Sequence, residues 1–478
     1  MRRNQPTATP ITLKDERRQS LKYILSDCCA SALAWLSFVF YPNLFWDYAF
    51  PQQCHLISFL PIYCIGWGSL HYLSGFYNKA FLKSRLSELL TTLTVTGIGG
   101  VLLFFIFFLQ IAYHHLDYFH GFYHAIVFLV LIQWILTYIG RFLITQRATS
   151  RIHSRKLGFN TLFIGTGNNA KRLYQELNSK TYSLGYNICG FIYVGGKKAA
   201  PRTMILGELD DLDFYLNKLG IRNVIIAPEG HESDSIYKLL TKLFHHNINI
   251  LLRPELYEIL IGGVHTDTIY STPLLSVTQG NMPQWQQNTK RILDILISIF
   301  ALILFAPLMF LTALLVKRSS PGPIFYKQLR NGYHGHPFVL YKFRSMIWDE
   351  SPESGQELAT DNDPRITPWG HTIRKYRIDE LPQFWNVLKG EMSIVGPRPE
   401  QDFFAKQLQK LSPHYTLLYK VKPGLTSWGM VKFGYANTIQ QMLKRADFDY
   451  LYLENRSLTI DFKIIIYTIR TILTGKGI

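Results

Sequence analysis

Hydrophobic positions are distributed unevenly along the chain. Four nearly uninterrupted apolar runs, about Leu21–Phe45, Leu56–Tyr77, Leu89–Ala112 and Phe122–Ile144, fill the first third. Each approaches or exceeds the roughly 20 residues a helix needs to cross the hydrocarbon core of a bilayer. From about Phe159 to Val277 the texture changes to short β-rich runs separated by polar helical stretches. Thr161–Gly165, Tyr186–Val194, Asn223–Ala227 and Ile248–Leu252 read as strands, with Ala170–Leu177 and Ser233–Phe244 as helices between them. Such alternation predicts a parallel, Rossmann-like α/β domain. A fifth apolar run, Ile292–Val316, opens a third region that continues to the end. The pattern therefore predicts a membrane protein of α plus α/β class. Its parts are a four-helix transmembrane domain (1–150), a Rossmann-like domain (155–280) and a C-terminal domain (285–478).

Charge orients these segments. Basic residues cluster at the head (Arg2, Arg3, Lys14, Arg17, Arg18, Lys22), in the second connection (Lys79, Lys83, Arg85) and after the fourth run (Arg147, Arg151, Arg155, Lys156). The first and third connections, around Asp47 and Asp117, carry no Lys or Arg. That alternation places both ends of the bundle in the cytoplasm. Asp27 and Arg141 fall near cytoplasmic helix ends, where snorkelling or pairing is expected. The run Ile292–Val316 has basic flanks on both sides, Lys290-Arg291 and Lys317-Arg318, and Pro307 near its middle. A re-entrant helix–break–helix over 292–316, entering and leaving by one face, satisfies both facts. Near the C-terminus, Asp461–Ile478 interleaves isoleucines with Lys463, Arg470 and Lys476, which suits either a helix in the headgroup plane or a core-packed amphipathic helix.

Composition narrows the partners. The 478 residues carry 50 Lys+Arg against 33 Asp+Glu, a net charge of +17. With 48% hydrophobic residues and no nucleic-acid motif, this excess points to lipid and phosphorylated substrate, not nucleic acid. The five cysteines form no Cys-x-x-Cys pair, and neither zinc nor a disulfide framework is expected. The basic, polar N-terminus, with no small-residue cleavage site after the first apolar run, predicts no signal peptide.

Two segments carry candidate chemistry. Gly165-Thr166-Gly167-Asn168-Asn169-Ala170 matches G-x-G-x-x-G/A between a strand and a helix, so Gly165, Gly167 and Ala170 mark a turn able to hold phosphate on backbone amides. The acidic residue expected about 20 positions on is missing, with Tyr193 near its place, so a tight turn that binds no nucleotide is the favoured alternative. The second segment, Tyr341–Glu400, gathers arginines around one acidic pair. Arg330, Lys342, Arg344, Arg365, Arg374, Lys375, Arg377 and Arg398 can neutralise phosphate oxygens. Asp379 and Glu380 offer a nucleophile and a ligand for Mg²⁺. Taken alone, an Asp-Glu pair is usually a solvated surface feature. Its company beside a membrane anchor changes that.

The ordered run of Lys290-Arg291-x-x-Asp294, Gly322-Pro323, Gln328-x-Arg330-x-Gly332, Lys342-Phe343-Arg344-Ser345-Met346 and Asp363-Pro364-Arg365-Ile366-Thr367 continues through Asp379-Glu380-Leu381-Pro382-Gln383, Asn386–Gly390, Gly396-Pro397-Arg398-Pro399 and Lys422-Pro423-Gly424. With it the chain resembles the polyprenyl-phosphate hexose-1-phosphate transferases, or large monotopic phosphoglycosyl transferases. The resemblance implies transfer of a sugar 1-phosphate, glucose or galactose first among the candidates, from a UDP-sugar to undecaprenyl phosphate with release of UMP. It also implies a phosphosugar–Asp379 intermediate, Mg²⁺ held by Glu380 with Asp379, nucleotide contact by Arg398, and Lys342 and Arg344 as phosphate or structural contacts. The setting implied is the cytoplasmic face of a bacterial inner membrane, at the start of capsule, exopolysaccharide or O-antigen assembly. Two departures stand out. Ala306-Pro307 replaces a Ser-Pro break, and the middle domain lacks its acidic residue. A glycosyltransferase releasing UDP and a non-catalytic scaffold or nucleotide sensor are the competing readings. A homodimer formed through the middle domain is compatible with catalysis.

Overall fold

The computed structural model describes residues 8–40, 57–78, 81, 83, 85–114, 119–195, 199–227, 239–240, 242–243, 246, 248–252, 274–276, 282–348, 363–434 and 436–473. Helices α1 (Leu13–Phe40), α2 (Leu60–Leu73), α3 (Arg85–His114) and α4 (Phe119–His153) make an N-terminal bundle. Segments of α1, α3 and α4 are long and apolar enough to cross a membrane. The 14 residues of α2 pack beside α1, closing an aromatic centre of Trp35, Tyr63 and Trp67. These helices make the chain a membrane protein. The connections around Asp47 and Asp117, and Cys54, lie outside the described residues; the other four cysteines are free thiols.

Asp27 and Arg141 pair deep in the bundle. Arg141 donates from Nε to Asp27 Oδ1 at 2.9 Å and from Nη2 to Oδ2 at 2.6 Å, and its Nη1 reaches Thr92 Oγ1. Both side chains are fully buried. Two charges out of water must satisfy each other, and losing one partner of such a pair costs about 3–5 kcal/mol.

The middle domain is a sheet in the order β4-β3-β2-β5-β6-β7, formed by β2 (Leu157–Ile164), β3 (Tyr186–Tyr193), β4 (Ile205–Glu208), β5 (Asn223–Ile226), β6 (Asn249–Leu252) and β7 (Leu275–Ser276). All pairings are parallel except that of β7. This is the doubly wound order, reversing between β2 and β5. Helices α5 (Asn168–Ser179) and α6 (Leu212–Lys218) connect strands, and Leu162, Ile164, Ile192, Val224 and Ile250 fill the core. Of the helix expected over Ser233–Phe244, residues 239–240 and 242–243 are helical and the others lie outside the described residues. An N-terminal strap fastens this domain to the bundle. Strand β1 (Thr9–Pro10) pairs with the start of β2, and Glu16 bonds Arg222 at 2.7 Å.

In the third region, α7 (Gln284–Leu304) and α8 (Ala306–Ser319) meet at 61°. Pro307 stands in the first turn of α8, where its missing N–H removes no intrahelical bond. The break is therefore a boundary between two helices, and Phe305 N→Ala301 O and Met309 N→Phe305 O bonds run up to it from both sides. Beyond it come the hairpin β8 (Phe325–Asn331) and β9 (Pro337–Phe343), helices α9 (Pro368–Lys375) and α10 (Gln383–Lys389), and the parallel pair β10 (Ser393–Val395) and β11 (Gly424–Thr426). Helices α11 (Asp402–Leu411), α12 (Ile439–Glu454) and α13 (Leu458–Leu473) close the domain. The last of these uses both of its faces: Ile464 is buried while Phe462, Ile466 and Ile469 are exposed.

Candidate active site

Helix α9 starts with Thr367 Oγ1 accepting the Gly370 amide and ends at Tyr376. Arg377 then takes a left-handed conformation, φ 53° and ψ 27°, which a residue with a Cβ adopts at a cost. This reversal throws the chain into a single 3₁₀ turn, Ile378–Glu380, and aims both carboxylates inward, where they are buried. Glycine would relieve the strain but would lose the guanidinium, and Arg377 Nη1 bonds Glu380 Oε2 at 3.3 Å.

Two further segments converge on this turn. Strand β9 brings Lys342, whose Nζ lies 3.1 Å from Glu380 Oε1. The Gly396–Pro399 loop leaving β10 brings Arg398, with Nη2 at 3.9 Å from the same oxygen. That loop lies against β11 with no room for side chains, since a Cβ on Gly396 would sit 2.3 Å from the Lys422 carbonyl. The two carboxylates respond differently. Burial pushes Asp379 up to about 6, reinforced by the charge of Glu380 and opposed by Lys342. Burial also acts on Glu380, but Lys342, Arg377 and Arg398 outweigh it and hold that carboxyl far below the usual range. One acid is thus held as a carboxylate, and the other keeps its proton more readily than a free aspartate.

The other expected phosphate ligands divide by what their donors already hold. Arg344 spends its guanidinium on the carbonyls of Val316, Ser320 and Pro321, capping the end of α8. Arg330 is committed to Gln328 and the Pro399 carbonyl. Arg365 forks onto Asp363, holding that carboxyl down at about 2. Arg374, whose charge reaches Asp379, has a buried Nη1 with no hydrogen-bond partner. Lys375 is exposed. Lys342, Arg377, Arg398 and Arg374 are therefore the cations gathered at the acidic pair. A cleft beside them is lined by Arg330, Lys342, Glu380, Gln383, Arg398 and Leu425.

Several supporting residues carry little sequence signal. Glu400 is buried between Arg330 and Arg445, to which it is hydrogen-bonded. Burial alone would raise its carboxyl, but Arg445, Arg398 and Arg330 hold it down. Asp449 accepts the Gly429 amide at 2.9 Å, and burial raises it to about 6. Arg445 and Asp449 stand four apart on α12, a spacing that ordinarily reads as a solvated face. The membrane helix contributes too. Lys290 Nζ bonds the Val395 carbonyl and Asp461, and Asp294 accepts the Ile394 amide, so α7 grips the strand from which Arg398 springs.

Among the described residues no cluster of three or more His, Cys, Asp or Glu exists to cage a metal. Magnesium asks for less, one or two carboxylates plus substrate phosphates, and Asp379 and Glu380, consecutive and buried in one turn, are donors of that type.

Comparison with known proteins bears on the domain that carries these residues. The bacterial sugar transferase family profile matches residues 285–475, and a CoA-binding domain profile matches 72–254. An Escherichia coli K12 UDP-glucose:undecaprenyl-phosphate glucose-1-phosphate transferase is 34% identical over 349 residues, 70% of this chain and 73% of that protein. The chain belongs to the polyprenyl-phosphate hexose-1-phosphate transferase family. Family relatives differ in the sugar they are named for. A Salmonella typhimurium undecaprenyl-phosphate galactose phosphotransferase is 30% identical over 69% of this chain and 72% of its own. An Aeromonas hydrophila UDP-N-acetylgalactosamine-undecaprenyl-phosphate N-acetylgalactosaminephosphotransferase is 43% identical over 47% of this chain, and the match spans about half, 52%, of that relative.

The glycine turn lies elsewhere, at the β2–β5 reversal. Gly165 takes φ 107°, and the chain returns over the turn so that the amides of Ala199 and Ala200 both donate to the Thr166 carbonyl at 2.8 Å. Gly167 precedes α5 as its N-cap, and Ala170 is wholly buried.

Proposed function

We propose that this transferase moves a sugar 1-phosphate from a UDP-sugar to undecaprenyl phosphate, giving undecaprenyl-diphosphate sugar and UMP. The observation that carries the reading is the strained Arg377 turn, which presents Asp379 and Glu380 to four gathered cations. The relatives' names supply the substrate classes.

Asp379 attacks the phosphorus bearing the sugar. An aspartyl O–P bond forms, the bridging P–O bond breaks, and the electron pair leaves with UMP. The phosphate oxygen of the lipid then attacks the same phosphorus and displaces the Asp379 carboxylate. Arg374 and Arg398 neutralise the diphosphate, Arg398 on the nucleotide side. Glu380 holds Lys342 and Arg377 in place around the reacting phosphorus. Bound magnesium, held by Glu380 with Asp379, would supply further charge neutralisation on the phosphate oxygens. Arg330, Arg344 and Arg365 act as frame, because their donors are already spent.

In this reading the bent α7–α8 pair is re-entrant, entering and leaving by the cytoplasmic face and holding the site at the inner-membrane surface; its 61° bend and its basic flanks support that. Purified protein incubated with undecaprenyl phosphate, Mg²⁺ and a panel of UDP-sugars yields UMP for the preferred sugar. Release of UDP in its place would overturn the mechanism and favour a glycosyltransferase.

A further inference from the structure

Among the described residues, the bundle meets the catalytic domain at a joint between α2 and α7 whose geometry is specific. Helix α2 ends in a turn, Ser74–Asn78, in which Gly75 takes φ 78°. A Cβ there would lie 2.6 Å from Gln284 Cβ, so the turn lies directly on the start of α7. Asn78 Nδ2 donates to Gln284 Oε1 and to Asn288 Oδ1, each at 3.0 Å. Asn288 is buried and returns its own amide to the Tyr72 carbonyl at 2.6 Å.

The bundle side of this joint is braced from within. Tyr77, one residue before Asn78, donates its hydroxyl to Asp27 Oδ2 at 2.7 Å. Its carbonyl accepts from Ser20 at 2.9 Å. Asp27 is the carboxylate forked by Arg141, and the Arg141 guanidinium also lies 3.6 Å over the Phe76 ring. On the catalytic side, α7 continues to Lys290 and Arg291 within a turn of Asn288 and to Asp294 within two. These hold the Val395 carbonyl, the Val387 and Leu388 carbonyls and the Ile394 amide.

We propose that the bundle is a positioning device for the bent helix pair. The Gly75–Asn78 turn, held by the Asp27–Arg141 pair through Tyr77, sets the height and tilt of α7 and so where the lipid phosphate meets Asp379. A bare anchor would need no amide recognising two amides on a second domain, and no glycine where a methyl group would clash. The proposal rests on the lipid-acceptor reading above and assigns Asn78, Gln284 and Asn288 as positioning residues.

Full-length protein in nanodiscs tests it with two readouts. Asn78→Ala, Gln284→Ala, their double variant and Gly75→Val are compared with Lys218→Ala on the exposed face of α6. Amide exchange over Gln284–Asp294 rises about tenfold in the joint variants. The KM for undecaprenyl phosphate rises about fivefold, while the KM for the UDP-sugar stays within about twofold. The double variant matches Asn78→Ala, because that substitution already removes the bond to Gln284. Unchanged exchange in Asn78→Ala and Gly75→Val would overturn the joint, and faster exchange with an unchanged acceptor KM would overturn positioning. If the wild-type protein transfers no sugar phosphate, the proposed function fails while the exchange measurement still decides the joint.

Discussion

Two turns in this molecule carry phosphate-associated sequence patterns, and they differ in what folds over them. At Gly165–Ala170 the glycine spacing is present, and the amides of Ala199 and Ala200 donate to the Thr166 carbonyl. At Arg377–Glu380 the local pattern is only an acidic dipeptide. There, however, β9, the turn after α9 and the loop after β10 bring Lys342, Arg377 and Arg398 onto buried Glu380, next to buried Asp379. A motif acquires chemistry from the groups that converge on it, and convergence is a property of the fold.

The largest effect expected separates the turns most sharply. Asp379→Asn removes the attacking oxygen and lowers kcat by roughly 10³-fold or more, read as UMP released in single-turnover mixing. Undiminished UMP release in this variant would break the comparison. Next, Glu380→Gln leaves Lys342, Arg377 and Arg398 crowded with no counter-charge. Its unfolding free energy falls by about 3 kcal/mol and transfer drops about 100-fold, measured by denaturant melts and the same assay.

A smaller effect follows from acidity. Asp379 attacks as a carboxylate, and burial raises its carboxyl to about 6. Activity is therefore full above that value and falls about tenfold per pH unit below it. A donor half-reaction flat from pH 5 to 7 would show that another group attacks. The smallest effect belongs to the glycine turn. Gly167→Ala should leave transfer within about twofold, and millimolar CoA or NAD should not shift Tm. A clear rise in Tm would restore a nucleotide site there.

How far these features were legible depended on whether a residue's environment is local in sequence. The apolar runs declared α1, α3 and α4, although α4 continues beyond Ile144 to His153 because its polar end is helical too. Strands β2, β3, β5 and β6 followed from β-branched runs, whereas β4, with exposed Glu208 at its end, offered too short a pattern. Lys342, Asp379, Glu380 and Arg398 stood out through their motifs. Arg330 and Arg344 have the same side chain as Arg398, and only three-dimensional placement reveals that their donors serve backbone carbonyls. Glu400, Arg445 and Asp449 were illegible for the converse reason, since a buried charge and a solvated one are written with the same letter. For Asp27 and Arg141, 114 residues apart, snorkelling and pairing are both open in the sequence, and the fold takes the second, a direct pair.

The central claim is that Asp379 becomes covalently linked to the phosphosugar. Intact-protein mass spectrometry after mixing with UDP-sugar and Mg²⁺, without lipid acceptor, tests it most directly. The account predicts a mass increase of one sugar-phosphate unit with stoichiometric UMP, lost on adding undecaprenyl phosphate and absent in Asp379→Asn. UMP appearing with no adduct on the wild-type protein, or an adduct that persists in Asp379→Asn, would contradict it.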